Sequence, residues 1–285
     1  MKPQVASAET AARELWVRAA ALRRASVANG TLTVFPHRTE TLVADGLTWV
    51  LRVLTGPAPH PPTDPDPFLP PYDPHTYVAD LGADHVLLLN KYPVLAEHLL
   101  IVTRTALPQA AFPEPEDFAA AALLLDGLPA LAFYNGGPES GASQPHRHFQ
   151  AMRLPLGSAP DPIPTQIWIE RALAGAALPF PGAAAALDPG LWDTNETGVR
   201  LHEAATKLLR RCGRDPADPG SFNLLFTRDW MLVVPRSRRK FRGVSVNSLG
   251  YAGALIAKSD AALAALADID PLAVLNAVAG TGPTD

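Results

Sequence analysis

The chain is poor in cysteine: Cys212 stands alone among 285 residues. A lone thiol closes no internal disulfide, so nothing in the sequence calls for an oxidising compartment. Cys212 follows two arginines at a helix end, where the macrodipole does not favour a thiolate, and it is assigned no role. Excess charge of one sign is missing too. A formal net charge of −4 leaves no electrostatic footprint for bulk binding to nucleic acid or to a membrane surface. No uninterrupted apolar run of about 18 residues occurs, so no membrane-spanning helix is expected. No basic start followed by an apolar stretch opens the N-terminus, and no internal repeat stands out. These absences together point to a soluble, cytoplasmic protein. Apolar side chains, by contrast, are plentiful. Hydrophobic residues make up 47% of the chain, enough for a sizeable core and too many for global disorder.

Proline is abundant and unevenly spread, crowding the stretch from Gly56 to Pro74. Such a segment can be neither a helix nor a central strand. With strand-like sequence on both sides, residues 56–75 read as a long surface insertion within a single domain spanning 1–285. Residues 7–28 form a predicted helix, with Leu15, Ala19 and Leu22 on one stripe and Asn29-Gly30 as the stop. Thr39 to Leu54 is a predicted hairpin turning at Asp45-Gly46. His85–Asn90, Leu99–Thr103 and Leu131–Asn135 are short apolar strands, and Glu114–Asp126 is a helix closed by Gly127. The low-complexity region 157–190 shows little pattern beyond a short helical run near 165–174. Thr197–Arg211 is a helix. Ser221–Thr227 and Trp230–Pro235 are strands turning at Arg228-Asp229, and helices close the chain from about Gly250. Hairpins followed by neighbouring strands favour a mostly antiparallel sheet with flanking helices, an α+β fold.

The most informative stretch is Ser143-Gln-Pro-His146-Arg-His148-Phe-Gln150, which follows a glycine-rich loop and runs on as a strand from about His146 to Leu154. Alternation along a strand puts His146, His148 and Gln150 on one face and Arg147, Phe149 and Ala151 on the other. Three readings of that polar face compete. The histidines can be satisfied polar residues at a sheet edge. They can chelate a transition metal, which needs a third ligand that residues 151–154 do not supply and that only a remote residue such as His98 could. Or a histidine can attack phosphorus beside a loop of free backbone N–H groups, and this reading suits two imidazoles and an amide in register best.

His-x-His-x-Gln after Ser-Gln-Pro resembles the histidine-triad superfamily, in particular the diadenosine tetraphosphate phosphorylase (ATP adenylyltransferase) family. Four blocks carry the resemblance in the right order: Asn90-Lys91 through Arg104, Phe133 through Gln144, Phe222 through Ser237, and Val246 through Gly253. The related galactose-1-phosphate uridylyltransferases usually show Asn-Pro-His-Pro-His before their glutamine, where this chain has Gln-Pro-His-Arg-His. The resemblance implies a histidine-triad-like fold and the conversion of diadenosine tetraphosphate and phosphate to ATP and ADP through an adenylyl-histidine. It implies His148 as nucleophile, Gln150 as the group holding a phosphoryl oxygen, and His146 as a support or a polyphosphate contact. Gly141, Ala142, Ser143 and Gln144 would cradle phosphates. Asn90, Lys91 and Asn135 would contact nucleotide, as would Asn247, Ser248, Leu249 and Lys258 in a C-terminal portion, 215–285, that completes the substrate site.

The implied partners are dinucleoside polyphosphates, ATP, ADP and phosphate. No cofactor is tightly bound, and Mg2+ is a candidate companion carried by the polyphosphate itself. Monomer and homo-oligomer both fit the sequence. A uridylyltransferase acting on sugar phosphates and a non-catalytic nucleotide-binding module are the alternatives. One departure concerns the strand around Trp49, where the family often carries a lysine and this chain has only Arg52, in a different register. The run Arg236 to Arg242 reads first as a solvated loop and second as a support for collecting anionic substrate, and His98 reads as structural.

Overall fold

The computed structural model describes residues 8–32, 36–56, 66–91, 93, 98–257 and 259–279. Helix α1 (Ala8–Ala28) opens the chain, followed by the hairpin β1 (His37–Ala44) and β2 (Leu47–Leu54). Then come β3 (Tyr77–Leu81), β4 (His85–Leu89), β5 (His98–Thr103), α2 (Pro115–Ala122), β6 (Ala130–Gly136) and β7 (His148–Arg153). Helix α3 (Gln166–Leu173), β8 (Ala183–Ala186), α4 (Thr197–Arg211), β9 (Phe222–Phe226) and β10 (Trp230–Pro235) follow. The chain closes with β11 (Lys240–Phe241), β12 (Val244–Ser245), α5 (Ser248–Tyr251), β13 (Ala254–Ala257), α6 (Asp260–Ile269) and α7 (Pro271–Ala279).

Eight strands form one sheet in the order β3-β4-β5-β7-β6-β9-β10-β8, antiparallel throughout. Its central strands are apolar nearly end to end because both faces are covered, which removes the polar half of the usual alternation. On one face Leu99, Ile101, Phe149, Tyr134 and Phe226 pack with Trp16 of α1, Phe118 of α2 and Leu208 of α4. On the other, Phe133, Met152, Leu225 and Leu232 pack with Trp49 of β2, Trp168 of α3 and Tyr251 of α5. The expected mostly antiparallel α+β fold is therefore the observed one. No helix among the described residues is long and apolar enough to cross a membrane.

Several elements differ from the sequence reading. The stretch without pattern at 157–190 contains β8, four alanines with no strand propensity of their own. Pairing with β10 makes them a strand. β13 lies where only helices are expected and pairs in parallel with β2, with Ala254 opposite Val50, so the N-terminal hairpin is completed from the far end of the chain. Strand β3 lies just beyond the proline-rich insertion and is absent from the sequence reading. Helix α2 stops at Ala122, short of the expected Asp126, and turns through Gly127 at φ 65°. The histidine strand starts at His148, while His146 forms only an isolated bridge to Pro108. Residues 57–65 of the insertion lie outside the described residues. The described remainder is a half-buried to exposed loop anchored by Phe68, which is buried with Val86, Leu88, Leu100 and Val102.

Candidate active site

β7 lies between β5 and β6, but its ladder with β6 ends at the pair Phe133–Gln150, which leaves the backbone of His148 open on that side. The buried side chain of Gln109 fills the gap. Its Oε1 accepts from the His148 amide at 2.7 Å, and its Nε2 donates to Asn135 O at 2.9 Å and to His148 O at 3.2 Å. Backbone groups that the sheet has left unpaired are thus satisfied by one amide, and His148 is fixed at the mouth of the two diverging strands. Gln109 comes from an irregular segment with no motif, and no pattern in the sequence marks it.

The His148 imidazole is buried, with its Nδ1 2.8 Å from the His146 carbonyl oxygen. A carbonyl only accepts, so Nδ1 carries the proton and Nε2 presents its lone pair. Burial is the largest influence on its pKa and lowers it to about 4, so the ring is neutral near pH 7. Nε2 has no hydrogen-bond partner among the described residues.

Gln150 points to the same face, and its Oε1 lies 2.6 Å from His98 Nε2. His98 Nδ1 in turn meets Asn90 Nδ2 at 3.1 Å. Asn90 donates to Nδ1, so His98 carries its proton on Nε2 and donates to the Gln150 oxygen. That leaves the NH2 group of Gln150 without a partner among the described residues. Burial, again the first cause, lowers the His98 pKa to about 4 and keeps this relay neutral. The sequence reading left His98 structural, whereas the fold sets it diagonally across the β5–β7 pair from Gln150. Both its nitrogens are engaged, so it is no spare metal ligand. Among the described residues no group of three or more His, Cys, Asp or Glu side chains is disposed to hold a metal.

His146 is held through both ring nitrogens. Its Nδ1 lies 2.8 Å from Asp66 Oδ2, and its Nε2 lies 2.7 Å from Thr103 O and 3.1 Å from Thr103 Oγ1. Asp66 and Phe68 both come from the end of the proline-rich insertion. The Phe68 ring stands edge-on to His146 and His148, with centroids 5.7 and 5.0 Å away. Neither residue was marked by any motif.

The glycine loop is held against the C-terminal segment. Gly141 has φ +91°, and a Cβ there would lie 2.8 Å from Val246 O and 2.9 Å from Asn247 Cβ, so only glycine allows the approach. Ala142, Ser143 and Gln144 are half-buried to exposed and make no hydrogen bonds among the described residues. Asn135 is buried, and its Oδ1 accepts from Asn223 Nδ2 at 2.8 Å and from Ser248 N at 3.0 Å, with Ser248 Oγ at 2.8 Å. Asn247 caps α5, its Oδ1 accepting from Leu249 N at 3.1 Å. The structure thus brings Asn135, Gly141, Asn247, Ser248 and Leu249 together. Asn90 is linked to Gln150 through His98, Lys91 is exposed, and Lys258 lies outside the described residues.

Two basic residues are buried by the fold. Arg52 is buried in β2 and donates to Leu156 O, and burial lowers its pKa to about 10, so it does not take the place of an exposed lysine. Arg236 is no part of a solvated loop: it is 2% exposed, and its guanidinium lies beneath the glycine loop.

The comparisons with known proteins agree along the chain. Residues 5–171 match the family described as Ap4A phosphorylase N-terminal domain, and residues 176–281 match ATP adenylyltransferase C-terminal domain. The chain is 30% identical over 227 residues to diadenosine 5',5'''-P1,P4-tetraphosphate phosphorylase 2 of Saccharomyces cerevisiae, covering 68% of this chain and 69% of that protein. It is equally similar to Protein APA1 of the same yeast, at 30% over 227 residues and 70% of each. Its fold is similar to the crystal structure of yeast Ap4A phosphorylase Apa2, with TM-score 0.74, 24% identity, and 95% and 98% of the two chains covered. The structure of Apa2 in complex with Ap4A is similar at TM-score 0.70 and 26% identity, over 89% and 92% of the chains. The two matched segments share one sheet in this chain, since β6 pairs directly with β9.

Proposed function

The chain belongs to the Ap4A phosphorylase family, and on that premise we propose that His148 is the nucleophile through which it converts diadenosine tetraphosphate (Ap4A) and phosphate to ATP and ADP. The observation that carries this reading is the 2.8 Å contact between His148 Nδ1 and the His146 carbonyl, which aims the lone pair of Nε2 outward. In the first step Nε2 attacks the phosphorus bonded to one adenosine. A P–N bond forms, the bond to the bridging oxygen breaks, and ATP leaves with the electron pair. The ring becomes cationic, and the charge develops on an N–H already donating to a fixed carbonyl, so no reorganisation is needed. In the second step a phosphate oxygen attacks the same phosphorus, the P–N bond breaks, ADP forms and neutral imidazole returns.

Gln150 offers its NH2 group to a non-bridging oxygen, held in that orientation by His98. Burial of His148 keeps the nucleophile unprotonated, at the cost of basicity. The unpaired N–H groups of residues 142–144 receive the polyphosphate, whose oxygens also carry a divalent cation such as Mg2+.

Product analysis tests the reading. Ap4A incubated with Mg2+ and phosphate should yield ATP plus ADP only when phosphate is present, and radioactive Ap4A should label His148 in an acid-labile form. ATP plus AMP formed without phosphate, or labelling that survives His148→Ala, overturns it. Turnover of uridine nucleotides in place of Ap4A would favour the uridylyl-transfer alternative.

A further inference from the structure

Among the described residues Arg52 and Arg236 are buried cations without an ion-pair partner, and of the two Arg236 lies against the glycine loop. Its guanidinium donates from Nη1 to Asn223 Oδ1 at 2.5 Å, Val246 O at 3.0 Å and Ser140 O at 3.3 Å. Nη2 donates to Arg238 O at 2.8 Å and Nε to Val278 O at 3.3 Å, and the group lies over the Tyr251 ring at 5.7 Å. Every acceptor is neutral. Among the described residues no carboxylate forms an ion pair with it, and Glu139 acts only through space. A guanidinium withdrawn from water without a hydrogen-bonded counter-charge is costly.

The placement gives its field a use. The Ser140 carbonyl, which would otherwise face an incoming anion with negative charge, is turned onto Arg236 and onto Asn223 Nδ2 at 2.9 Å. The backbone donors that follow it, in residues 142–144, have no partners among the described residues. A second path runs through two amides. Arg236 donates to the Asn223 oxygen, and the Asn223 NH2 group donates to the Asn135 oxygen at 2.8 Å. Each bond polarises the next, so the positive end of the chain emerges at the Asn135 NH2 group. Ser248 N also donates to Asn135 Oδ1 and locks the relay's direction.

We propose that Arg236 is a built-in counter-charge for the polyphosphate: a positioning residue that never touches substrate but makes the loop 140–144 and Asn135 attractive to phosphate anions. The inference rests on the phosphorylase reading for the identity of the ligand, but not for its test. Full-length protein and its Arg236→Gln and Arg236→Lys variants would be titrated with inorganic tripolyphosphate and, separately, with adenosine. Arg236→Gln should weaken tripolyphosphate binding roughly tenfold or more, the scale on which focused fields alter local anion concentration. Adenosine binding should be unchanged, and Arg236→Lys should restore most of the lost anion affinity. If Arg236→Gln fails to fold, Asn223→Asp serves instead: a carboxylate set against the guanidinium cancels the field, and the same selective loss is expected. Equal losses for adenosine and tripolyphosphate, failure of lysine to rescue, or a native protein that does not bind tripolyphosphate would each overturn the proposal. A native protein that binds tripolyphosphate but leaves Ap4A intact would overturn the phosphorylase reading and leave this one standing.

Discussion

The two faces of β7 are equally buried and chemically opposite. Arg147 and His148 are 5% and 2% exposed and adjacent in sequence, yet they are held in different ways. Beneath the strand, Arg147 Nη1 pairs with Asp117 Oδ2 at 3.1 Å, Asp117 Oδ1 meets His85 Nε2 at 2.8 Å, and Phe149 meets Phe118, Tyr134 and Phe226 in tilted and edge-on contacts. Above it, His148 and Gln150 are each tied to the protein through one atom, with Nε2 of His148 free to react among the described residues. On the lower face the polar contacts are ion pairs between charged side chains. On the upper face each side chain is fixed through one atom by a neutral partner. Buried polarity therefore takes two forms along a single strand, and the kind of partner tells them apart.

Substitutions can break this contrast. The largest effect is expected from His148→Ala, which should abolish both phosphorolysis and the adenylylated protein while leaving the urea midpoint close to that of the native chain. Asp117→Ala should do the reverse: stranding Arg147 without its carboxylate should destabilise the fold by about 3–5 kcal/mol in urea unfolding, with KM of the remaining folded enzyme little changed. A smaller effect on the barrier, about 2.7–4 kcal/mol, is expected for Gln150→Ala, read as a fall in kcat. His98→Phe should cost less than that, since it only frees the Gln150 amide to turn. It should lower kcat without altering the mass of the adenylylated species, and a loss larger than that of Gln150→Ala would show His98 acting directly.

The mildest effect expected is on the pH profile. Burial lowers the pKa of both His148 and His98 to about 4. The rate should therefore not fall through the ordinary histidine range near ~6.5 as the solution is acidified. Stability has the opposite sensitivity. Both rings bind protons more readily unfolded than folded, so their contribution is complete above the unfolded pKa and is lost as pH falls toward about 4. A kcat profile that declines with a midpoint near ~6.5 would show that His148 is more hydrated than its burial indicates.

Much of the site is visible in the chain because its residues are local. His146, His148 and Gln150 lie within five residues, and strand alternation alone separates them from Arg147 and Phe149. Gly141 is legible as a loop glycine, although its reason, the approach of Val246 and Asn247, lies over a hundred positions away. Gln109, Asp66 and Phe68 escaped notice, and His98 and Arg236 had no place in the site on the sequence reading, because each enters through tertiary pairing. Asn223 left a trace, a polar residue within the apolar Phe222–Phe226 strand, and its partners Asn135 and Arg236 explain it. The alanines of β8 show the same limit in the fold, since a segment with no preference of its own takes the conformation its neighbour β10 imposes.

By itself the sequence determined the class of fold, the order of the central strands along the chain, the candidate histidines and the family, because apolar periodicity and short motifs act over a few residues. The tertiary structure decided the tautomers of His148 and His98, the turning of the Gln150 amide, the contacts of His146 and the burial of Arg236. Those depend on which oxygen or nitrogen stands within 3 Å of each group, and long-range packing alone brings such atoms together.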